Sequence, residues 1–220
     1  MKTVIIDYGS GNLRSAEKSI IRAATAIGIE MDVVVSSSID DVLTADKIIL
    51  PGVGAYGDCM AGLKGLDGMI EALDEVVIKN AKPFLGICVG MQLMSTAGLE
   101  HGKTEGLNWI GGTVEKMTIK NDENSDRVLK IPHMGWNDLY LDHEDHPLLK
   151  DINDGDHVYF VHSYHFKADQ PSHILAHVNY GEAITAMIGR DNIIGTQFHP
   201  EKSQKVGLQF LANFLQWSPE

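Results

Sequence analysis

Cys88 lies in the run Gly86-Ile87-Cys88-Val89-Gly90-Met91-Gln92, directly after the apolar stretch Pro83-Phe84-Leu85. The pattern predicts a buried strand entering a tight turn with a helix beyond it. That is the setting of a nucleophile elbow, with Cys where Ser more often stands. Gly86 and Gly90 permit the turn and a close backbone approach. Free N–H groups at the start of the following helix would favour a thiolate and a developing oxyanion. Much later comes Phe198-His199-Pro200-Glu201. His199 is a candidate base. On an extended segment Glu201 would share its side, so the carboxylate could accept the other ring N–H and fix the tautomer. Pro200 restricts the backbone between them. A cysteine early and a His-x-Glu late form the pattern of a cysteine-dependent hydrolase. Cys59 has no such setting and reads as a packing residue.

Acyl transfer also needs donors for the oxyanion. The Val89 N–H, just after the nucleophile, is one. Pro51-Gly52-Val53-Gly54 ends a predicted strand and offers the second. Glycines on both sides of Val53 give that loop backbone freedom. An ordinary Gly-rich turn is the competing reading.

The elements that must position these groups alternate. Val4–Asp7, Met31–Val35, Lys47–Leu50 and Phe84–Ile87 read as short apolar strands of a parallel sheet covered on both faces. Residues 12–27 and 69–79 have helical spacing, Gly28 suits the first helix's C′ position, and Met91–Ala97 reads as the helix after the elbow. The second half changes character. Thr113–Ile119, His157–Val161, Ile174–Val178, Ile184–Ile188 and Ile193–Gln197 read as strands, some necessarily antiparallel. Gly207–Trp217 reads as a closing helix. The expectation is one α/β domain over residues 1–220: three layers, an open, mostly parallel sheet with helices on both faces, and an antiparallel β-rich addition.

Composition bounds the partners. The net charge of −12 over 220 residues argues against nucleic acid and anionic membranes. Two cysteines give no disulfide framework, and no signal peptide or membrane span is visible. A cytoplasmic enzyme without cofactor or metal is expected. Gly9-Ser10-Gly11 follows a strand, but Arg14 replaces the third glycine of a dinucleotide fingerprint, so a tight turn is the better reading. Residues 122–126 imitate a calcium loop but lack its glycine and final glutamate. Asp142-His143-Glu144-Asp145-His146 reads as a solvated loop. His157, His162 and His165 do not share one side of a strand, so they make no ready metal site.

The Cys elbow, the Pro51–Gly54 loop and His199-Pro200-Glu201 together resemble the class I, triad-type glutamine amidotransferases. Asp7-Tyr8-Gly9-Ser10-Gly11-Asn12, Pro132-His133-Met134-Gly135-Trp136-Asn137 and Tyr159-Phe160-Val161-His162-Ser163-Tyr164-His165 resemble the branch that serves histidine biosynthesis. The resemblance implies that L-glutamine is hydrolysed to glutamate through a γ-glutamyl thioester on Cys88. It implies an oxyanion donor at the Gly52–Val53 peptide, misoriented until a partner engages. It also implies substrate contacts from Gln92 and Glu100 and from the Ser163-Tyr164 backbone, which would take the α-carboxylate. A plain solvated charge is the competing reading of Glu100. Released ammonia would protonate in water, and the chain carries no nucleotide-binding loop or second catalytic half. A partner on another polypeptide is therefore expected. The resemblance makes it a (β/α)₈-barrel cyclase in a heterodimer, with Asn12, Trp136 and Lys202 at the interface. A core position for Trp136 is the alternative. A glutaminase serving another synthase and a stand-alone cysteine γ-glutamyl hydrolase remain open readings.

Overall fold

The computed structural model describes residues 1–119 and 129–219. The calcium-like stretch at 122–126 lies outside them. The main sheet has eight strands in the order β2-β1-β3-β4-β14-β13-β12-β9. The first five are β2 (Asp32–Ser36), β1 (Lys2–Ile6), β3 (Lys47–Gly52), β4 (Phe84–Cys88) and β14 (Ile193–Thr196), all parallel. Three antiparallel strands continue from β14: β13 (Ala183–Arg190), β12 (Ile174–Asn179) and β9 (Tyr140–Leu141). This is the expected α/β class with its antiparallel addition. Val4, Ile5 and Ile6 are all wholly buried, as are Ile48, Ile49 and Leu50. Successive strand residues face opposite ways, so both faces of the sheet must be covered. Helix α1 (Leu13–Ala26) packs on α6 (Gln204–Gln216), while α2 (Ile39–Leu43), α3 (Tyr56–Lys64) and α4 (Met69–Leu73) pack among themselves. Gly28 stands past the end of α1 with φ +68°, as its C′ position requires.

Two smaller sheets cover the site. One pairs β8 (His133–Asp138) with β10 (His157–His162). The other has the order β11-β7-β5-β6, built from Tyr164–Ala168, Gly112–Lys116, Ala97–Gly98 and Thr104–Glu105.

Three expectations need correction. The segment 69–79 is not one α-helix: Met69–Leu73 is α-helical and Asp74–Lys79 widens into a π turn. The helix after the elbow, α5, covers only Val89–Gln92, and Ala97–Gly98 is a strand. Its continuation is blocked by tertiary packing. Leu93, Met94 and Ser95 are all fully buried, so the apolar period marks a core on every side, not a helical face. The Ser95 hydroxyl is held 3.0 Å from the Tyr56 hydroxyl, and Gly98 lies against the Tyr56 ring. Third, Glu201 does not sit on an extended segment. His199 is extended, but Pro200–Lys202 forms a 3₁₀ turn with Pro200 as its first residue.

The stretch 142–146 is mostly exposed, and Asp142 pairs with His177 at 2.9 Å. His157 is exposed beside Asp138, whereas His162 and His165 are buried. Among the described residues, no helix is long and apolar enough to cross a membrane.

Candidate active site

Cys88 ends β4 and begins the turn into α5, with φ +55° and ψ −111°. A non-glycine residue there is strained and must be held by its surroundings. Close packing holds it. A Cβ on Gly90 would lie 1.8 Å from the Leu50 carbonyl oxygen of β3, and one on Gly86 would lie 2.7 Å from the Gly90 carbonyl. The elbow therefore fits only because both residues lack a side chain. Since α5 is one turn long, individual N–H groups rather than a long helix dipole stand near the sulfur.

Strand β14 runs beside β4, with Thr196 opposite Ile87. The chain leaving β14 therefore brings Gln197 and His199 to Cys88. His199 Nδ1 is 2.8 Å from Glu201 Oε1, with both side chains almost wholly buried. A carboxylate only accepts, so Nδ1 carries the proton and Nε2 is left for the thiol. Nε2 is buried and makes no hydrogen bond of ordinary geometry. Burial pulls the His199 pKa down, but the nearby Cys88 sulfur and Glu201 outweigh it and raise it to about 9. The pair is adjacent and not yet closed, a common state before substrate binds.

A cavity of about 290 Å³ opens over the pair. Cys88, Val89, His199, Gln92, Glu100, Ser163 and Tyr164 all line it. The structure thus brings together the residues singled out for catalysis and substrate contact. Gln92 donates from Nε2 to the Tyr164 carbonyl at 3.1 Å and to Gln197 Oε1 at 2.9 Å. Glu100 is more than a solvated charge: its Oε2 accepts the Tyr56 N–H at 2.7 Å, at the start of α3. Sequence reasoning missed Gln197. It is fully buried and directs Nε2 at the Cys88 sulfur, 3.6 Å away. A glutamine two residues before the base is the only trace of it in the sequence.

The Pro51–Gly54 loop differs from expectation. Gly52 is not free, because it pairs with Cys88 in the sheet. A Cβ there would meet the Tyr8 hydroxyl at 2.6 Å and the Gly90 nitrogen at 2.8 Å. Freedom remains on one side only, at Gly54 with φ +105°. The Val53 N–H donates to Ser10 Oγ at 3.1 Å, and the Ser10 hydroxyl donates back to the Val53 carbonyl at 2.5 Å. That N–H is therefore committed to the Gly9–Gly11 turn. Cys59 stands at the same spot, its Sγ 3.4 Å from the Val53 carbonyl, so it touches this loop as well as packing. Ser10→Ala removes the acceptor and should release the peptide. Hydrolysis by the chain alone should rise about tenfold, the worth of one or two net hydrogen bonds. An unchanged partner-free rate in a steady-state assay would refute the latch.

Trp136 is 45 % exposed, which sets aside a core position. It meets Tyr159 edge-on at 5.9 Å between ring centroids, and Lys202 Nζ sits 5.5 Å from the same ring. Trp136 and Lys202 thus share one surface patch. Asn12 is half-buried at the start of α1, next to the turn that holds Val53.

The chain belongs to the class I glutamine amidotransferases: residues 4–217 match the family described as "Glutamine amidotransferase class-I". Among curated proteins it is similar to the imidazole glycerol phosphate synthase subunit HisH of Rhodospirillum rubrum, 56% identical over 219 residues, with 100% of both chains covered. The subunits of the same name from Cereibacter sphaeroides and Agrobacterium fabrum are 54% and 55% identical, again over 100% of both chains. Of solved structures, a putative GMP synthase subunit from Thermoplasma acidophilum superimposes with a TM-score of 0.67 at 17% identity, covering 98% of this chain and 92% of the other. A second, described as a glutamine amidotransferase, gives 0.68 at 16%, covering 97% of each. At such identities these two speak for the fold alone.

Proposed function

We propose that this chain is the glutaminase subunit of an imidazole glycerol phosphate synthase. It hydrolyses L-glutamine on Cys88 and passes ammonia to a (β/α)₈-barrel cyclase partner in a cytoplasmic heterodimer. The full-length relatives support the pathway. One observation carries the chemistry: adjacent parallel strands deliver Cys88 and the His199–Glu201 pair to one wall of a cavity shaped for a small substrate.

His199 accepts the Cys88 proton at Nε2 as the pair forms. The sulfur attacks the side-chain amide carbon, and the carbonyl electrons move onto oxygen. The Val89 N–H and, once turned inward, the Val53 N–H receive that charge. His199 gives its proton to the departing nitrogen, and ammonia leaves a γ-glutamyl thioester. Neutral His199 then takes a proton from water, which attacks the thioester and releases glutamate. Glu201 keeps the ring's Nδ1–H in place throughout. Gln92, Glu100 and the Ser163-Tyr164 backbone position the amino acid: Glu100 suits its ammonium and peptide N–H groups suit its carboxylate.

A Val53 N–H held by Ser10 would leave the oxyanion one donor short. A missing donor costs roughly 3–4 kcal/mol of barrier. The isolated chain should therefore hydrolyse glutamine about a hundred- to a thousandfold slower than the complex with cyclase and acceptor. Steady-state glutaminase assays with and without the purified cyclase test this. Equal turnover would point to a stand-alone γ-glutamyl hydrolase.

The pH profile follows from His199. Above its pKa the ring lacks the proton that ammonia needs, so kcat/KM of the complex should fall as pH rises through about 9. Glu201→Gln removes a charge that raises this pKa, so the alkaline limb should move to lower pH. An unmoved limb would remove the orienting role of Glu201.

A further inference from the structure

The glutamine cavity shares Pro132 with a second cavity of about 450 Å³, lined by His133, Met134, Trp136, Asn137 and Tyr180 among others. Two buried histidines stand between these spaces. His162 lines the glutamine cavity, His133 lines the other, and His133 Nδ1 lies 3.0 Å from His162 Nε2.

Their protons can be placed by elimination. His162 Nδ1 lies 2.9 Å from the Tyr164 carbonyl, which only accepts, so Nδ1 carries a hydrogen. Burial, the largest influence on both rings, pushes the pKa of His162 down to about 3 and that of His133 to about 4. Both rings are neutral at physiological pH. His162 Nε2 is then an acceptor and His133 Nδ1 its donor. His133 Nε2 in turn accepts from Asn137 Nδ2 at 3.3 Å. The chain of donors runs one way: Asn137, His133, His162, Tyr164 carbonyl.

The His133 ring is also fixed from both faces. Phe160 stacks on one side at 4.6 Å and Tyr180 lies stacked at 4.0 Å between centroids. The Tyr180 hydroxyl donates to the Lys130 carbonyl at 2.7 Å. At the other end, the Tyr164 carbonyl also accepts from Gln92, whose second N–H goes to Gln197 and so towards the Cys88 sulfur. The Tyr164 carbonyl is therefore gripped from two directions, and the Ser163 and Tyr164 N–H groups lie just before it in the chain. A half-satisfied polar network is costly when buried, and a fully satisfied one fixes a single geometry.

We propose that His133 and His162 are positioning residues for glutamine: a hydrogen-bonded histidine pair that anchors the Tyr164 carbonyl and so sets the Ser163 and Tyr164 N–H groups just before it in the chain against the substrate's α-carboxylate. His162 holds the peptide and His133 holds His162. The inference rests on the glutaminase reading of the cavity. It concerns ground-state binding of a part of the substrate remote from the reacting amide, so the effect belongs in KM and not in kcat.

Asn and Gln separate the two ends of the ring. In His162→Asn the amide nitrogen takes the place of Nδ1 and keeps the hold on Tyr164. In His162→Gln the amide reaches the Nε2 position and gives that hold up. His133→Leu removes the donor to His162 while keeping bulk, and His133→Asn restores a donor at the Nδ1 position. The assay is glutamine turnover by the complex with its cyclase, with thermal midpoints measured alongside. His162→Gln and His133→Leu should raise KM for glutamine about tenfold, with kcat within about threefold of the parent. His133→Asn should stay within about threefold of the parent KM, and His162→Asn, which keeps the hold on Tyr164 but gives up the tie to His133, should fall between His133→Asn and His162→Gln. The proposal is overturned if His162→Gln and His133→Leu keep the parent KM. It is equally overturned if the Asn variants fail as badly as the others and all losses track the thermal midpoint. A parent complex unable to hydrolyse glutamine would instead overturn the glutaminase reading itself, and this inference with it.

Discussion

Cys88→Ala should fold, bind the cyclase and hydrolyse no glutamine. Removing a triad nucleophile costs on the order of 10⁴- to 10⁶-fold in kcat. Folding should survive, because alanine carries the same backbone strain at φ +55° and the sulfur is small. Its position over an open cavity also means that little packing is lost. Two readouts make the expectation specific. The complex should still make product from added ammonium salts, because in the proposed function the acceptor is processed on a partner chain. An electrophilic glutamine analogue should modify Cys88 in the parent protein and leave Cys59 untouched. Burial raises the Cys59 pKa, and Ser10 and Val53 occupy the space around its sulfur. Modification of Cys59, or a Cys88→Ala complex retaining more than about a hundredth of its glutaminase rate, would mean that the elbow is not the nucleophile's site.

Gly90→Ala should be the most damaging single-methyl change in the elbow. The added carbon would stand 1.8 Å from the Leu50 carbonyl oxygen, a backbone atom of a central strand that cannot swing away. The helix start must then lift off β3, carrying the Cys88 turn with it. Overpacking of a dense core costs about 1–3 kcal/mol and occasionally more; with rigid backbone on the other side, roughly 3 kcal/mol or above is expected. For a chain of this size that lowers the thermal midpoint by at least about 6 °C. Glutaminase activity should disappear even where the protein is still folded, since the Val89 N–H and the sulfur move together. Gly57→Ala is the control. It lies in α3, where a Cβ would make only ordinary contact with Thr104 at 3.5 Å. Helix propensity favours alanine there by up to about 1 kcal/mol. If both variants melt at the parent temperature, the close approach of α5 to β3 is not what holds the elbow.

Much of the site could be read from the sequence because chemistry restricts residue choice locally. A cysteine between two glycines after an apolar strand has few other uses, and a His-Pro-Glu run ties base and carboxylate together in adjacent positions. The buried parallel strands announced themselves as apolar runs. What could not be read depends on distant contacts. Ser10 and Val53 are far apart in the chain, and neither shows periodicity or charge that marks a latch. Gln197 looks like the end of a strand until β14 is laid beside β4. Strand β8 is not legible because His133, Met134, Gly135 and Trp136 do not alternate between apolar and polar. They make one side of a two-stranded ribbon whose outer face is left to solvent, with Gly135 at φ +130°. The length of α5 failed for the opposite reason: the residues just after Gln92 are buried, so no periodic face could mark where the helix stops.

The place of β14 in the sheet has a consequence for how the chain comes alive as an enzyme. Strands β2, β1, β3 and β4 come from the first part of the chain, and β13, β12 and β9 from the last part. Within the main sheet the two groups meet only where β14 docks on β4. The same docking carries Gln197 and His199 to the sulfur. During synthesis the thiol exists long before its base has been made, and a fragment holding only the first strands has no route to a charged pair at Cys88. In the proposed mechanism reactivity is thus tied to completion of the sheet: an unfinished or locally opened molecule has the sulfur without the ring beside it, and the last central strand to arrive completes the pair.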